Sequence, residues 1–195
     1  KRPAIGEATF LVEDYVPERL ELALSARAPA LKSGQDAEID ANIRYLYGAP
    51  GADLAVTGET IVRVAKESAV PGFAGYRVGL ADESVEPART PIEETVRSNA
   101  QGRATITTPI TEPETNLPLE AEFLITANEN GGRGVTRSLT LPIIPKGVVI
   151  GVKPLFEADQ LTPGSTAKFG VILATGEGKR LARPGLKWQL SRITK

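Results

Sequence analysis

Residues 37–47 read "AEIDANIRYLY". Ala37, Ile39, Ala41, Ile43, Tyr45 and Tyr47 fall on one side of an extended chain, and Glu38, Asp40, Asn42 and Arg44 on the other. Period-2 alternation over eleven residues predicts a half-buried strand, because successive side chains of a strand point to opposite faces. "LEAEFLITA" (119–127) repeats the pattern, with Leu119, Ala121, Phe123, Ile125 and Ala127 inward. Leu20, Leu22 and Leu24 do the same in "RLELALS".

Further strands are expected at 53–64, 73–80, 102–110 and 133–144. Turn signals separate them: Ser33-Gly34, Gly48-Ala49-Pro50-Gly51, Pro71-Gly72, Asn99-Ala100-Gln101-Gly102 and Asn130-Gly131-Gly132. Seven short strands with such turns predict an all-β fold, an antiparallel seven-strand sandwich of fibronectin III or immunoglobulin type. One stretch looks helical. In "PIEETVRSN" (91–99) Pro91 is placed to open a single turn, with Glu93 and Glu94 near its positive end.

A second unit is expected from Gly147. "VVIGVKPLF" (148–156), "TAKFGVIL" (166–173) and "GLKWQLSRI" (185–193) read as three strands, the last with Leu186, Trp188 and Leu190 on one face. Three strands are too few for a sandwich of about 100 residues, so part of a second module is expected. Charge changes at the same place. Residues 1–146 hold 15 Lys/Arg against 21 Asp/Glu, and 147–195 hold 8 against 3.

Composition excludes several chemistries. The chain of 195 residues has no Cys and no His, and its net charge is −1. Thiolate nucleophiles, disulfides, Cys-ligated zinc and any Ser-His-Asp triad are absent from it. So small a charge gives no field to draw in nucleic acid. No apolar run approaches the roughly 18 residues of a spanning helix. The chain begins Lys1-Arg2 rather than with Met, as expected of a piece of a longer polypeptide.

"FLVEDYVPERLELAL" (10–24) passes from one apolar strand to the next through Pro17 without a glycine turn. Proline fixes φ and holds the preceding residue extended, which suits a strand leaving one module and entering another. Val12-Glu13-Asp14-Tyr15-Val16-Pro17, followed by Tyr45-Leu46-Tyr47-Gly48-Ala49-Pro50, resembles a recurrent pair in the α2-macroglobulin and complement-component family. There a strand ending Val-Glu-Glu-Tyr-x-x-Pro leads into a macroglobulin-like domain, and an aromatic strand ending Tyr-Gly-x-Pro follows. This chain differs in Asp14 and in a shorter spacer before Pro17. "VKPLFEADQLTPGSTAKFGVIL", with Pro163-Gly164, is similar to the start of the next module, and "GLKWQLSRI" to the bacterial branch.

The resemblance implies three parts: a strand leading in over 1–16, a macroglobulin-like sandwich over 17–146, and a partial second one over 147–195. It also implies a parent that is a non-enzymatic, broad-spectrum protease inhibitor, trapping proteases after a bait region is cleaved. Partners would be proteases and neighbouring modules of the same chain, with no nucleic acid. The parent would be periplasmic, held at the inner membrane only through an anchor outside this segment. The family's Cys-Gly-Glu-Gln thioester has no counterpart here. No catalytic, cofactor-binding or metal-binding residue is assigned, and no cofactor is expected.

Blander readings fit the remaining motifs. Glu13 and Asp14 are neighbours on a strand, so they point apart and are expected to be solvated or interface carboxylates rather than an acid–base pair. "DES" (82–84) and "EPE" (112–114) lack further acidic ligands for calcium nearby in sequence. "ATGEGKR" (174–180) is similar to a phosphate loop, but Leu173 and Arg180 stand where Gly and Ser or Thr are required; a hairpin turn is expected. Tyr45 and Tyr47 are expected in a core rather than on a binding platform, and Trp188 likewise, or else partly bare in a partial module, where it would mimic a binding aromatic. The alternative functions are an immunoglobulin-like stalk or adhesion module and an accessory domain of a polysaccharide enzyme.

Overall fold

The computed structural model describes residues 18–129, 133–156, 161 and 164–189. The Val12–Pro17 crossing with Glu13 and Asp14, the Asn130-Gly131-Gly132 turn, Pro163 and the 190–193 end of the last expected strand lie outside them.

Among the described residues twelve strands follow in order: β1 (Leu20–Ala26), β2 (Leu31–Lys32), β3 (Ala37–Tyr45), β4 (Ala55–Val64), β5 (Arg77–Val78) and β6 (Ala88–Pro91), then β7 (Val96–Arg97), β8 (Arg103–Thr108), β9 (Leu119–Asn128), β10 (Val135–Ile144), β11 (Val148–Pro154) and β12 (Phe169–Thr175). The fold is all-β. No helix among the described residues is long and apolar enough to cross a membrane.

Two sheets make the sandwich. One runs β1-β3-β8, and the other β2-β10-β9-β4-β6, with β7 also on β4. All pairs are antiparallel except the short β2–β10 contact. Alternation sets the register, since a one-residue slip would turn every apolar side chain to water. Leu22 thus faces Ile43, and Ile39 faces Ile106. Ile39, Ile43, Ile106, Val56, Val62, Phe123 and Ile125 meet in one core. Each such burial contributes about 1.5–3 kcal/mol. β9 is central, flanked by β4 and β10, and its inward residues Leu119, Ala121, Phe123, Ile125 and Ala127 are all buried.

The structure corrects four readings. Residues 91–99 form no helix: β6 ends at Pro91 and β7 holds Val96–Arg97. Their donors are spent on β4 and the loop before it, Ile92 N–H on the Gly58 carbonyl and Ser98 N–H on the Leu54 carbonyl, which outweighs local propensity. Tyr47 is 78% exposed rather than in the core, and Tyr45 is only half-buried. The alternation stops because Gly48 N–H bonds back to the Tyr45 carbonyl in a turn, leaving the two rings stacked 5.1 Å apart. Of 73–80 only Arg77–Val78 is a strand, and it joins the second unit rather than the sandwich. Finally, Gly185–Gln189 is not a strand and Trp188 is 88% exposed, so that segment contributes nothing to a core.

Candidate functional site

The junction between the sandwich and the second unit is where the structure concentrates contacts that neither unit supplies alone. β4 leads into an excursion, residues 65–87, before the chain returns as β6. Part of that excursion leaves the sandwich and docks on β11 and β12. Val70 and Phe73 are buried with Val149, Ile172 and Ala174, and Tyr76 and Val78 pack around them. β5 then pairs antiparallel with β11, Val78 opposite Gly151 and Arg77 opposite Val152, giving a third sheet of order β12-β11-β5.

Local chemistry explains why the excursion holds this shape. Phe73 N–H bonds to the Val70 carbonyl and Tyr76 N–H to the Phe73 carbonyl, so two consecutive turns present one face. The Phe73 and Tyr76 rings lie tilted at 53°, 6.1 Å apart, an attractive aromatic arrangement. Lys153 Nζ stands 5.9 Å from the Tyr76 ring centre, at the outer limit of cation–π attraction. Gly151 lets the backbones approach. A Cβ there would lie 2.9 Å from the Phe73 ring and 3.0 Å from Tyr76 Cβ. Glycine inside the apolar run Val148–Val152 was the sequence signal for such an approach, whereas nothing local announces that Phe73 is buried.

Beside the ladder runs an open groove of about 1050 Å³. Val148, Ile150, Val152, Phe169, Leu80, Glu112 and Leu117 are among the residues that line it. Glu112 is already engaged, accepting from Ser33 Oγ and Gly34 N–H at 2.9 Å each. Glu83 accepts from Thr115 Oγ1, so the two acidic loops, set aside above as calcium ligands, do approach each other. Among the described residues, however, no group of three or more acidic, His or Cys side chains could hold a metal. The glycine-rich 174–180 stretch is a hairpin turn: Gly178 N–H bonds to the Thr175 carbonyl, and Ala174 bridges Arg180.

Several ion pairs sit on the sandwich away from the junction, and in two of them the carboxyl is shifted. Arg97 binds Asp53 through both side-chain oxygens and its main-chain carbonyl, holding the Asp53 carboxyl below its ordinary range. Arg44 Nε donates to Glu21 Oε2 at 2.7 Å and lowers that carboxyl too. Both are exposed and cross-link strands or loops; their geometry offers no acid–base chemistry.

Residues 18–145 match the family model described as the bacterial alpha-2-macroglobulin MG5 domain, and 151–195 match bacterial macroglobulin domain 6. The chain belongs to the bacterial alpha-2-macroglobulin family. The β5–β11 ladder therefore joins residues matched by the MG5 model to residues matched by the macroglobulin domain 6 model. Alpha-2-macroglobulin of Escherichia coli strain K12 is 29% identical over 94% of this chain, and that of Xylella fastidiosa strain Temecula1 is 30% identical over 98%. The chain spans about 12% of the length of these two relatives. Among solved structures, Escherichia coli alpha-2-macroglobulin activated by porcine elastase aligns over 85% of this chain and 15% of its own, at TM-score 0.59 and 26% identity.

Proposed function

We propose that residues 17–146 and 147–195 are consecutive structural modules of a bacterial alpha-2-macroglobulin-like protease trap, and that this stretch does no chemistry of its own. One observation carries the reading: the β5–β11 ladder fuses the two matched units through main-chain hydrogen bonds. Such a joint transmits orientation from one module to the next, which is what a cage that rearranges after bait cleavage needs from its walls. The elastase-activated relative supports proteases as the parent's partners. Its other partners are the neighbouring macroglobulin modules.

The parent is periplasmic in this reading and fixed to the inner membrane by an anchor outside the segment, as the family resemblance implies. Fractionation of cells making the full polypeptide checks that part separately.

The test of trapping uses the full polypeptide that carries this chain. After incubation with trypsin or elastase, residual activity is measured on a large protein substrate and on a small peptide. A trap blocks the first and spares the second, because the protease is enclosed with its active site open. Equal loss on both substrates overturns the proposal.

A further inference from the structure

The glycine-rich stretch 174–180, a hairpin turn rather than a phosphate loop, meets the sandwich's chain in a way that its own strand pairing does not require. Two parts of that chain reach the second unit: the linker 145–147 between β10 and β11, and the excursion that carries Phe73. The one hairpin touches both. Gly176 N–H donates to the Gly147 carbonyl at 3.2 Å, and a Cβ on Gly176 would overlap the Pro145 carbonyl oxygen. Two residues on, a Cβ on Gly178 would lie 2.8 Å from Pro71 Cβ and 3.0 Å from the Pro71 carbonyl oxygen. Atoms that close must shift, so glycine is what lets the hairpin sit on both.

Both sides of the contact are stiff. Gly178 N–H bonds to the Thr175 carbonyl, Thr175 N–H to the Lys179 carbonyl and Leu181 N–H to the Leu173 carbonyl. Ala174, at the base of the hairpin, is buried in the same cluster as Val70 and Phe73. Pro71 is locked in φ and follows Val70 directly. The excursion therefore cannot slide off the hairpin without drawing Val70 or Phe73 out of that cluster. We propose that the 174–180 hairpin is a clasp that sets the angle between the two units. It grips the linker through Gly176 and the excursion through Gly178, so both hold or both let go. A stiff element with two such arrangements, biased from two places, is what carries coupling across a junction.

The inference rests on the reading of 17–146 and 147–195 as consecutive modules and adds what fixes their angle. Its test uses the chain alone, so a failed clasp and a failed trap are told apart. The chain has no Cys, so spin labels go only to Thr107→Cys on β8 and Lys168→Cys before β12, both exposed positions. Double electron–electron resonance measures their distance distribution, with hydrogen exchange in parallel, in the labelled protein and with Gly176→Ala, Gly178→Ala or Gly185→Ala added. Gly185 is the matched control. It shares the φ of +84° of Gly178, but a Cβ there meets nothing within 4 Å. Backbone strain is thus equal and only the contact differs. The clasp predicts a narrow distribution that broadens in both Gly176→Ala and Gly178→Ala, with exchange several-fold faster at residues 73, 76 and 176. Gly185→Ala should change neither, and β9 should exchange slowly in every variant. A distribution already broad without these substitutions, or equally narrow in both clasp variants, overturns the proposal. So does equal broadening in Gly185→Ala, which would assign the effect to strain. Faster exchange in the excursion with the linker unmoved would uncouple the two grips and overturn it as well.

Discussion

Gly151 faces Val78 across the β5–β11 ladder, and its missing side chain is what lets the Phe73 ring lie against β11. Gly151→Val should therefore break the docking and not the sandwich. Forcing methyl groups into a packed contact costs about 1–3 kcal/mol, enough to release a two-residue strand. Hydrogen exchange is expected to accelerate at residues 77–78 and 148–154 and to stay slow in β9. Unchanged protection of β11 would show that the junction tolerates a side chain.

Phe73 and Phe123 are both fully buried, but in different clusters. Each change to Ala is expected to cost about 3–5 kcal/mol at its own site. Phe123→Ala should lower the main unfolding transition, while Phe73→Ala should free the excursion and the β12-β11-β5 sheet with little effect on that transition. Calorimetry of the two variants separates the outcomes; an equal fall in both would make the chain one cooperative unit.

Ser98 joins the β7 end to the loop before β4. Its buried hydroxyl accepts from Leu54 N–H at 2.9 Å and donates to the Gly51 carbonyl at 2.6 Å. Ser98→Ala leaves two inward backbone groups short of partners, a loss of about 1–3 kcal/mol. Ser98→Thr, which keeps the hydroxyl, should recover part of it. Denaturant unfolding of both variants measures this.

Acid should weaken the sandwich through Asp53 and Glu21. Arg97 and Arg44, first by hydrogen bonding and then by charge, lower these carboxyls in the folded state. A group lowered on folding stabilises fully above its unfolded pKa, about 4 for these carboxylates, and the contribution is lost as pH falls through the folded value. Both carboxylates are exposed, so the effect is small and salt-sensitive. The Tm difference between the protein and Arg97→Gln should be largest near neutral pH and shrink in acid. A difference that grows in acid would contradict the assignment.

The sandwich was legible where alternation runs uninterrupted, as in Ala37–Ile43 and Leu119–Ala127, because period 2 and one-sided burial are the same fact. It misled at Tyr47, where a turn ends the strand before the apolar pattern ends. Residues 91–99 carry helix-like local signals, and the hydrogen bonds that overrule them come from residues some forty positions earlier. The junction was the least legible part. Which sheet edge Arg77–Val78 joins depends on where β11 lies in space, and no local pattern encodes that. Gly151 alone hinted at it.

In the function proposed above, this stretch is a scaffold and inhibition belongs to the full polypeptide. The isolated chain, at micromolar concentration, is incubated with trypsin and elastase, and residual activity is read on a small peptide and on a large protein. Without a Cys for a thioester and at about 12% of its relatives' length, it should leave both activities intact and cleave neither substrate. Stoichiometric loss of activity on the small peptide would show direct blockade of the protease active site and contradict the account.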